Sequence, residues 1–403
     1  MRKLLVTGGL ALLLCSNAAT AQMAHHHEGA EDCAEPTLKC ASKVTPNFAP
    51  DGALWLAWVA AGTVSVARSL DLGRTFTPPV AVNPAPLDLD WGPDARPQIA
   101  VDRDGRVFVA FAIFKDKAFN GQVRYTRSID GGRSFAPPLP ITANPESQRF
   151  EAIALDSNGS LFAAWLDKRN RVPVKARNET YVGAALAFVW SNDHGATVSD
   201  THIAQDNTCE CCRVGVAFVA PGRPVIAFRN VFGSTVRDHA VTTFADAWTP
   251  GPIYRVSVDD WKTDACPHQG PSLAISPDGT YHVTWFTNGL VRKGLFYARS
   301  GDGGRTFSDP MPVGRAGRNP SHPYLMAAKD ALWLVWKEFD GERTTVPAMV
   351  SHDNGRTWSS PTVVAEASDA SDHPLLVTNG KQVFLSWQAQ REGYRFMPLE
   401  NVP

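Results

Sequence analysis

The residues best suited to chemistry fall into three groups. Four of the chain's seven cysteines sit in two short phrases, Cys209-Glu-Cys211-Cys212 and Cys266-Pro-His268. Thiolate beside imidazole is a soft ligand set suited to Cu or Zn. Cys209, Cys211, Cys212, Cys266 and His268 therefore form a candidate metal site, which His322 and His373 can extend. Met23 and His25 to His27 form a second, weaker chelator. Two other outcomes stay open. One is disulfides, the default in an oxidising compartment for the six cysteines that remain once the leader carrying Cys15 is removed, Cys33 with Cys40 among them. The other is a redox-active dithiol. Adjacent cysteines rarely pair with each other, because that geometry is strained.

The second group is Arg96, Arg149, Arg213, His322 and His373, each standing just before an apolar strand. Guanidinium groups gathered in one cleft repel unless they meet an anion, and their planar forks suit a carboxylate or phosphate. The competing reading pairs each arginine with a local acid such as Asp94 or Glu151. The third group is acidic. Asp88, Asp90 and Asp94 precede one strand, and Glu151 lies two residues beyond Arg149, so Asp90, Asp94 and Glu151 are candidate catalytic acids.

Repeats position these residues. One eight-residue phrase recurs: Ser69-Leu-Asp71-Leu-Gly73-Arg-Thr75-Phe76, then Ser128 to Phe135, Ser191 to Val198, Ser300 to Phe307 and Ser351 to Trp358. Its aspartates are Asp71, Asp130, Asp193, Asp302 and Asp353. Asp accepts backbone N–H bonds in a tight turn, Gly supplies positive φ, and the closing aromatic anchors the turn. The step from Ser191 to Ser300 is double, so Thr243-Phe-Ala-Asp246-Ala-Trp248 reads as a degenerate copy. A second pattern, strand–turn–strand closing on an aromatic, occurs seven times, at Trp58, Phe111, Trp165, Phe228, Trp285, Trp336 and Trp387. Interleaved, the two series spell four-stranded antiparallel units repeated around an axis, an all-β propeller. The count is seven, with the last unit one strand short. Pro36 to Cys40 is expected to supply that strand and close the ring.

The phrase resembles the Asp-box of the sialidase (BNR-repeat) superfamily. That resemblance implies a β-propeller, of six blades in sialidases. It also implies a three-arginine grip on a substrate carboxylate, a Tyr nucleophile raised in reactivity by Glu, and an Asp acid/base. The family's Arg-Ile-Pro phrase has no counterpart here, where Val44-Thr-Pro-Asn47 stands, and no Tyr–Glu pair is fixed by motif.

Composition bounds the rest. Gly 31 and Pro 30 suit a turn-rich β protein, and a net charge of -1 gives no basis for a nucleic-acid or anionic-membrane partner. Arg2 and Lys3, the apolar run from Leu4 to Leu14 and Ala19-Thr-Ala21 read as a signal peptide over 1–21. Export to a periplasm or the outside follows. Residues 22–35 read as a flexible His- and Cys-containing segment and 36–403 as one propeller domain, with no membrane span. The basic insert from Asp167 to Tyr181 reads as a solvated loop or a lid. Two functions are expected from these residues. The first is a non-catalytic or accessory module that binds a small anionic ligand, glycan or metal ion at the mouth of the central channel. The alternative is an exo-sialidase-type glycoside hydrolase acting on carboxylated sugars, with Asp90 or Asp94 as acid.

Overall fold

The computed structural model describes residues 33, 35–92, 94–265, 267–328, 330–399 and 402. The first sheet contains β1 (Lys43–Phe48), β2 (Leu54–Ala60), β3 (Thr63–Ser69) and β4 (Val80–Ala81). The second contains β5 (Gln98–Val101), β6 (Val107–Phe114), β7 (Gly121–Ser128) and β8 (Leu139–Pro140). The third unit is β9 (Gln148–Leu155), β10 (Leu161–Asp167), the helix α1 (Arg171–Ala176), β11 (Ala184–Ser191) and β12 (His202–Thr208). The fourth is β13 (Gly215–Ala220), β14 (Arg223–Phe232), β15 (Val236–Phe244) and β16 (Pro250–Arg255). These two units share one eight-stranded sheet through the pair Thr208 and Asn230. The fifth sheet is β17 (Ser272–Ile275), β18 (Tyr281–Asn288), β19 (Lys293–Ser300) and β20 (Met311–Val313). The sixth is β21 (Ser321–Ala328), β22 (Ala331–Phe339), β23 (Thr344–Ser351) and β24 (Thr362–Ala367). The last holds three strands, β25 (Leu375–Thr378), β26 (Val383–Ala389) and β27 (Gly393–Pro398). Every pairing is antiparallel. Each unit's first strand packs on the first strand of the next, from β1 through β5, β9, β13, β17 and β21 to β25, and β25 packs on β1.

The second strand of each unit is its core. Leu54–Ala60, Val107–Phe114 and Val383–Ala389 are buried at every position. Tryptophan is large and carries one N–H, so a buried indole needs an acceptor. Trp165, Trp285 and Trp336 donate to Asp167 Oδ2 (3.0 Å), Asp259 Oδ2 (2.8 Å) and Glu338 Oε1 (2.9 Å), and Trp387 donates to the Asp372 carbonyl (2.8 Å).

The Asp-boxes follow the third strand of their units and have one geometry. In the first, Asp71 Oδ1 accepts from the Thr75 N–H (2.9 Å) and the Ser69 hydroxyl (2.7 Å), and the Gly73 N–H donates to Ser69 Oγ (2.8 Å). The Thr75 hydroxyl bond, the Thr75 N–H and then the Ser69 hydroxyl lower Asp71 to about 2. Asp246 caps its turn with bonds from the Trp248 and Thr249 N–H groups, both 2.8 Å, so the degenerate copy keeps the aspartate function. The fifth residue of each box also joins units. A Cβ on Gly132 would lie 2.5 Å from Trp55 of the preceding unit, and one on Gly73 would lie 2.9 Å from Phe396 of the last.

Pro36 to Cys40 does not add the expected strand. Leu38–Cys40 is a 3-10 turn packed against β27. Cys33 and Cys40 are disulfide-bonded with their Cα atoms 5.5 Å apart. Seven extended residues would span roughly 23 Å, so the bridge folds this segment back. The signal-peptide reading, Met23 and His25 to His27 lie outside the described residues. No helix among the described residues is long and apolar enough to cross a membrane.

Candidate functional site

Antiparallel pairing sends the boxes to one end of the units. Ser69 pairs with Leu54, Ser128 with Val107 and Ser191 with Leu161, each the start of a second strand. First strands begin at the opposite end, where the arginines and histidines gather. The backbone there is irregular. Phe150, His268 and His322 have φ of 59°, 47° and 48°. A left-handed conformation costs a residue with a Cβ about 1–2 kcal/mol. The register shifts between Ala164 and Leu166 opposite β9, and between Ser321 and Tyr324 in β21. These three residues meet: the rings of Phe150 and His268 are 5.9 Å apart, and His322 Nε2 donates to the His268 carbonyl (3.1 Å). Strained non-glycine backbone concentrates where the surroundings force it, and functional sites are its commonest location.

Each of the three arginines meets a carboxylate, and Arg96 and Arg213 both act on His373 and Tyr324. Arg149 grips Asp90 through Nε (2.5 Å) and Nη2 (2.8 Å). Arg213 reaches from the fourth unit to Asp94 of the loop before β5 (2.7 Å) and donates to the Pro323 carbonyl (2.9 Å). Arg96 binds both oxygens of Asp372 (2.8 and 2.9 Å) and the Val44 carbonyl (3.2 Å). The picture of three open guanidiniums is therefore corrected: each meets an acid of the chain. The competing reading named Asp94 correctly but missed Asp90 and Asp372 as partners. Burial pushes Asp94 up, but Arg213, His322 and the N–H groups of Gly270 (2.6 Å) and Arg213 outweigh it and hold it below the usual range. Asp94 is a fixed anion.

Asp372 serves more than Arg96. Lys43 Nζ lies 3.3 Å from Oδ1, and the Lys337 ammonium also acts on this carboxylate. Three cations around one carboxylate leave a surplus of two positive charges. Burial, more than offsetting Asp372 and helped by Lys43, brings Lys337 down to about 8. Lys337 Nζ donates to the Ser371 carbonyl (2.6 Å). Lys337 is also among the residues lining a groove of about 770 Å³ between the fifth and sixth sheets, with Gln269, Lys293, Arg315 and Ser321.

His322 and His373 stack with ring centres 5.4 Å apart and planes 5° from parallel. Arg96 Nη2 lies 3.1 Å from His373 Nδ1, which must accept, so the ring proton sits on Nε2. Burial first, with Asp94 opposing it and Arg213 assisting, drops His322 to about 4. Burial and then Arg96 hold His373 well below its ordinary value. Both rings are neutral near pH 7.

Glu151 is protonated at neutral pH. Burial first, then the neighbouring Asp90 charge, raise it to about 8 against the opposing backbone bond and Arg149. Its Oε2 is buried without a hydrogen-bond partner among the described residues. The bulge at Phe150 interrupts the strand alternation that would have set Glu151 on the Arg149 face, yet both still act on each other electrostatically. Tyr324 lies within the field of Arg213 and Arg96, and burial raises its hydroxyl. Tyr394 belongs elsewhere, with its hydroxyl 3.0 Å from Ser386 Oγ.

The sulfurs of Cys209, Cys211 and Cys212 lie within 4.8 Å of one another, all buried thiols. Cys209 Sγ is 3.7 Å from Cys211 Sγ and accepts from Arg237 Nη1 (3.4 Å). His268 is outside this group of ligand atoms, and Cys266 lies outside the described residues. Over the insert, Lys168 pairs with Glu210 and Arg171 with Glu146 (3.3 Å). Lys43, Lys337, Gln269 and Asp372 were not foreseen. Asp372 had a signal in standing immediately before His373; Lys337, next to Trp336, had none.

No protein-family model matches the chain, and no curated protein matches it in sequence. Solved structures do match. A protein of unknown function from Dyadobacter fermentans is 15% identical over 77% of this chain and 96% of its own, with TM-score 0.52. A PL25 ulvan lyase bound to GlcA(1-4)Rha3S is 10% identical over 89% of this chain and 93% of its own, with TM-score 0.55. The intramolecular trans-sialidase of Ruminococcus gnavus is 14% identical over 92% of this chain and 97% of its own, with TM-score 0.45. The likeness to the Dyadobacter protein and the ulvan lyase is one of fold.

Proposed function

We propose that this protein is a glycoside hydrolase that takes a carboxylated sugar at the mouth, with the substrate entering along the groove between the fifth and sixth sheets. One observation supports the reading: Arg96, Lys43 and Lys337 all act on the single carboxylate of Asp372, a surplus of two positive charges, and Lys337 is also among the residues lining that groove. A buried unmatched charge is costly, and a substrate carboxylate beside Lys337 is the counterion that removes the cost. Glu151, protonated at neutral pH, takes the general-acid role in place of Asp90 and Asp94, which serve the arginines. Tyr324 takes the role of the tyrosine that the sialidase resemblance calls for. The order of contacts between first strands supports a seven-bladed ring. The signal-peptide reading places the protein in a periplasm or outside the cell, in keeping with a Cys33–Cys40 bridge.

The test is an assay of the purified protein on a fluorogenic sialoside and on oligosaccharides with a terminal uronate. Hydrolysis is expected, reduced about 100-fold or more by Glu151→Gln and, through KM, by Lys337→Met. Failure to turn over any carboxylated sugar overturns the reading. An unsaturated sugar product overturns the hydrolytic assignment.

A further inference from the structure

We infer that Cys209, Cys211 and Cys212 form a trigonal thiolate site for one Cu(I) ion, separate from the sugar site. The three sulfurs already lie within 4.8 Å of one another. Each cysteine is 1–2% exposed, in a core that includes Phe150, Leu166, Val214 and Phe228. Among the described residues the set is three sulfurs in an apolar shell, a soft ligand set that suits Cu(I).

Charge gives the independent argument. Arg229 is 1% exposed and has no carboxylate partner among the described residues. It donates instead to the carbonyls of Arg237 (3.0 Å), Gln269 (2.8 Å) and Phe286 (3.1 Å), while its Nε has no partner. A buried guanidinium needs a counter-charge, and the thiol cluster lies within its field. On binding, the three thiols release their protons to solvent and Cu(I) is held as a unit of net charge minus two. Arg229 lies within the field of that charge, and Arg237 already donates to Cys209 Sγ. The site also sits at the junction of the third and fourth units, where Cys209 N–H donates to the Arg229 carbonyl (2.8 Å) next to the Thr208–Asn230 pair.

Anaerobic titration of the full chain with Cu(I), in competition with a chromogenic Cu(I) chelator, tests the inference. One Cu(I) per chain is expected at this site, with a copper–sulfur charge-transfer band. Cys211→Ser should abolish the band, and Cys33→Ser should leave it. Arg237→Gln keeps every sulfur, so it decides the matter even if the cysteine variant does not fold; it should weaken Cu(I) about tenfold, the effect of losing one charge-assisted bond. A band and affinity unchanged in Cys211→Ser, affinity unchanged in Arg237→Gln, binding of Zn(II) but not Cu(I), or alkylation showing the three thiols oxidised in the native protein would each overturn the inference.

Discussion

Replacing Glu151 by Gln should stabilise the protein, increasingly so as pH rises. The carboxyl titrates at about 8 in the folded chain and at 4.5 when solvated. Between those values the folded state holds a proton that the unfolded state has released. Stability therefore falls with rising pH, by about 1.4 kcal/mol per unit. Over the whole window the wild type loses about 5 kcal/mol that glutamine, with no proton to bind, keeps. The physical origin is burial among neighbours that include Asp90, with one oxygen lacking a partner. Urea unfolding of both proteins from pH 4 to pH 9 measures it, since other titrating groups cancel in the difference. The two should differ least near pH 4, diverge through the window and run parallel above 8. A difference independent of pH would mean that Glu151 is ionised or well solvated in the folded protein, and the general-acid assignment would fall with it.

Two further outcomes follow from the same geometry. Gly132→Ala puts a Cβ 2.5 Å from Trp55 at a φ of 77° and should cost about 2–4 kcal/mol in chemical denaturation. Gly131→Asn has nothing within 4 Å and should stay within about 0.5 kcal/mol, so equal effects at the two positions would refute the seam. Lys337, at about 8, is a cation below that pH and neutral above it. Calorimetric affinity for N-acetylneuraminic acid should therefore weaken as pH rises through the alkaline range, and Lys337→Met should flatten that limb.

The repeat was legible because its information is local. Asp71, Asp130, Asp193, Asp302 and Asp353 each cap a turn within four residues, so spacing alone exposes them, and Asp246 was found by the doubled interval. The arginines and histidines could be picked out as a set because they sit at equivalent places before successive first strands. Their partners were not. Arg96 and Asp372 are 276 residues apart, and Arg213 and Asp94 are 119 apart, distances over which no periodicity carries a side-chain direction. The bulges at Phe150 and His322 interrupt strand alternation, which is why the faces of Glu151 and Tyr324 could not be read. The N-terminal segment failed for a related reason: its disulfide outweighs the strand pairing that its position in the repeat suggested.

The two ends of the molecule therefore answer to different constraints. At the box end every aspartate satisfies itself within its own turn, and the box glycines, with His194 and Asn354, reach the neighbouring unit. At the opposite end the carboxylates bind across units. Asp94 joins the second unit to the fourth and fifth, Asp372 joins the last to the first two, and Arg213 joins the fourth to the sixth. The mouth also holds three left-handed non-glycine residues, two neutral stacked imidazoles and a protonated carboxyl. A scaffold selected for stability alone would fill that space with apolar side chains, since a buried ion pair seldom outperforms them. The charges kept there are of both signs, with three cations acting on the one carboxylate of Asp372.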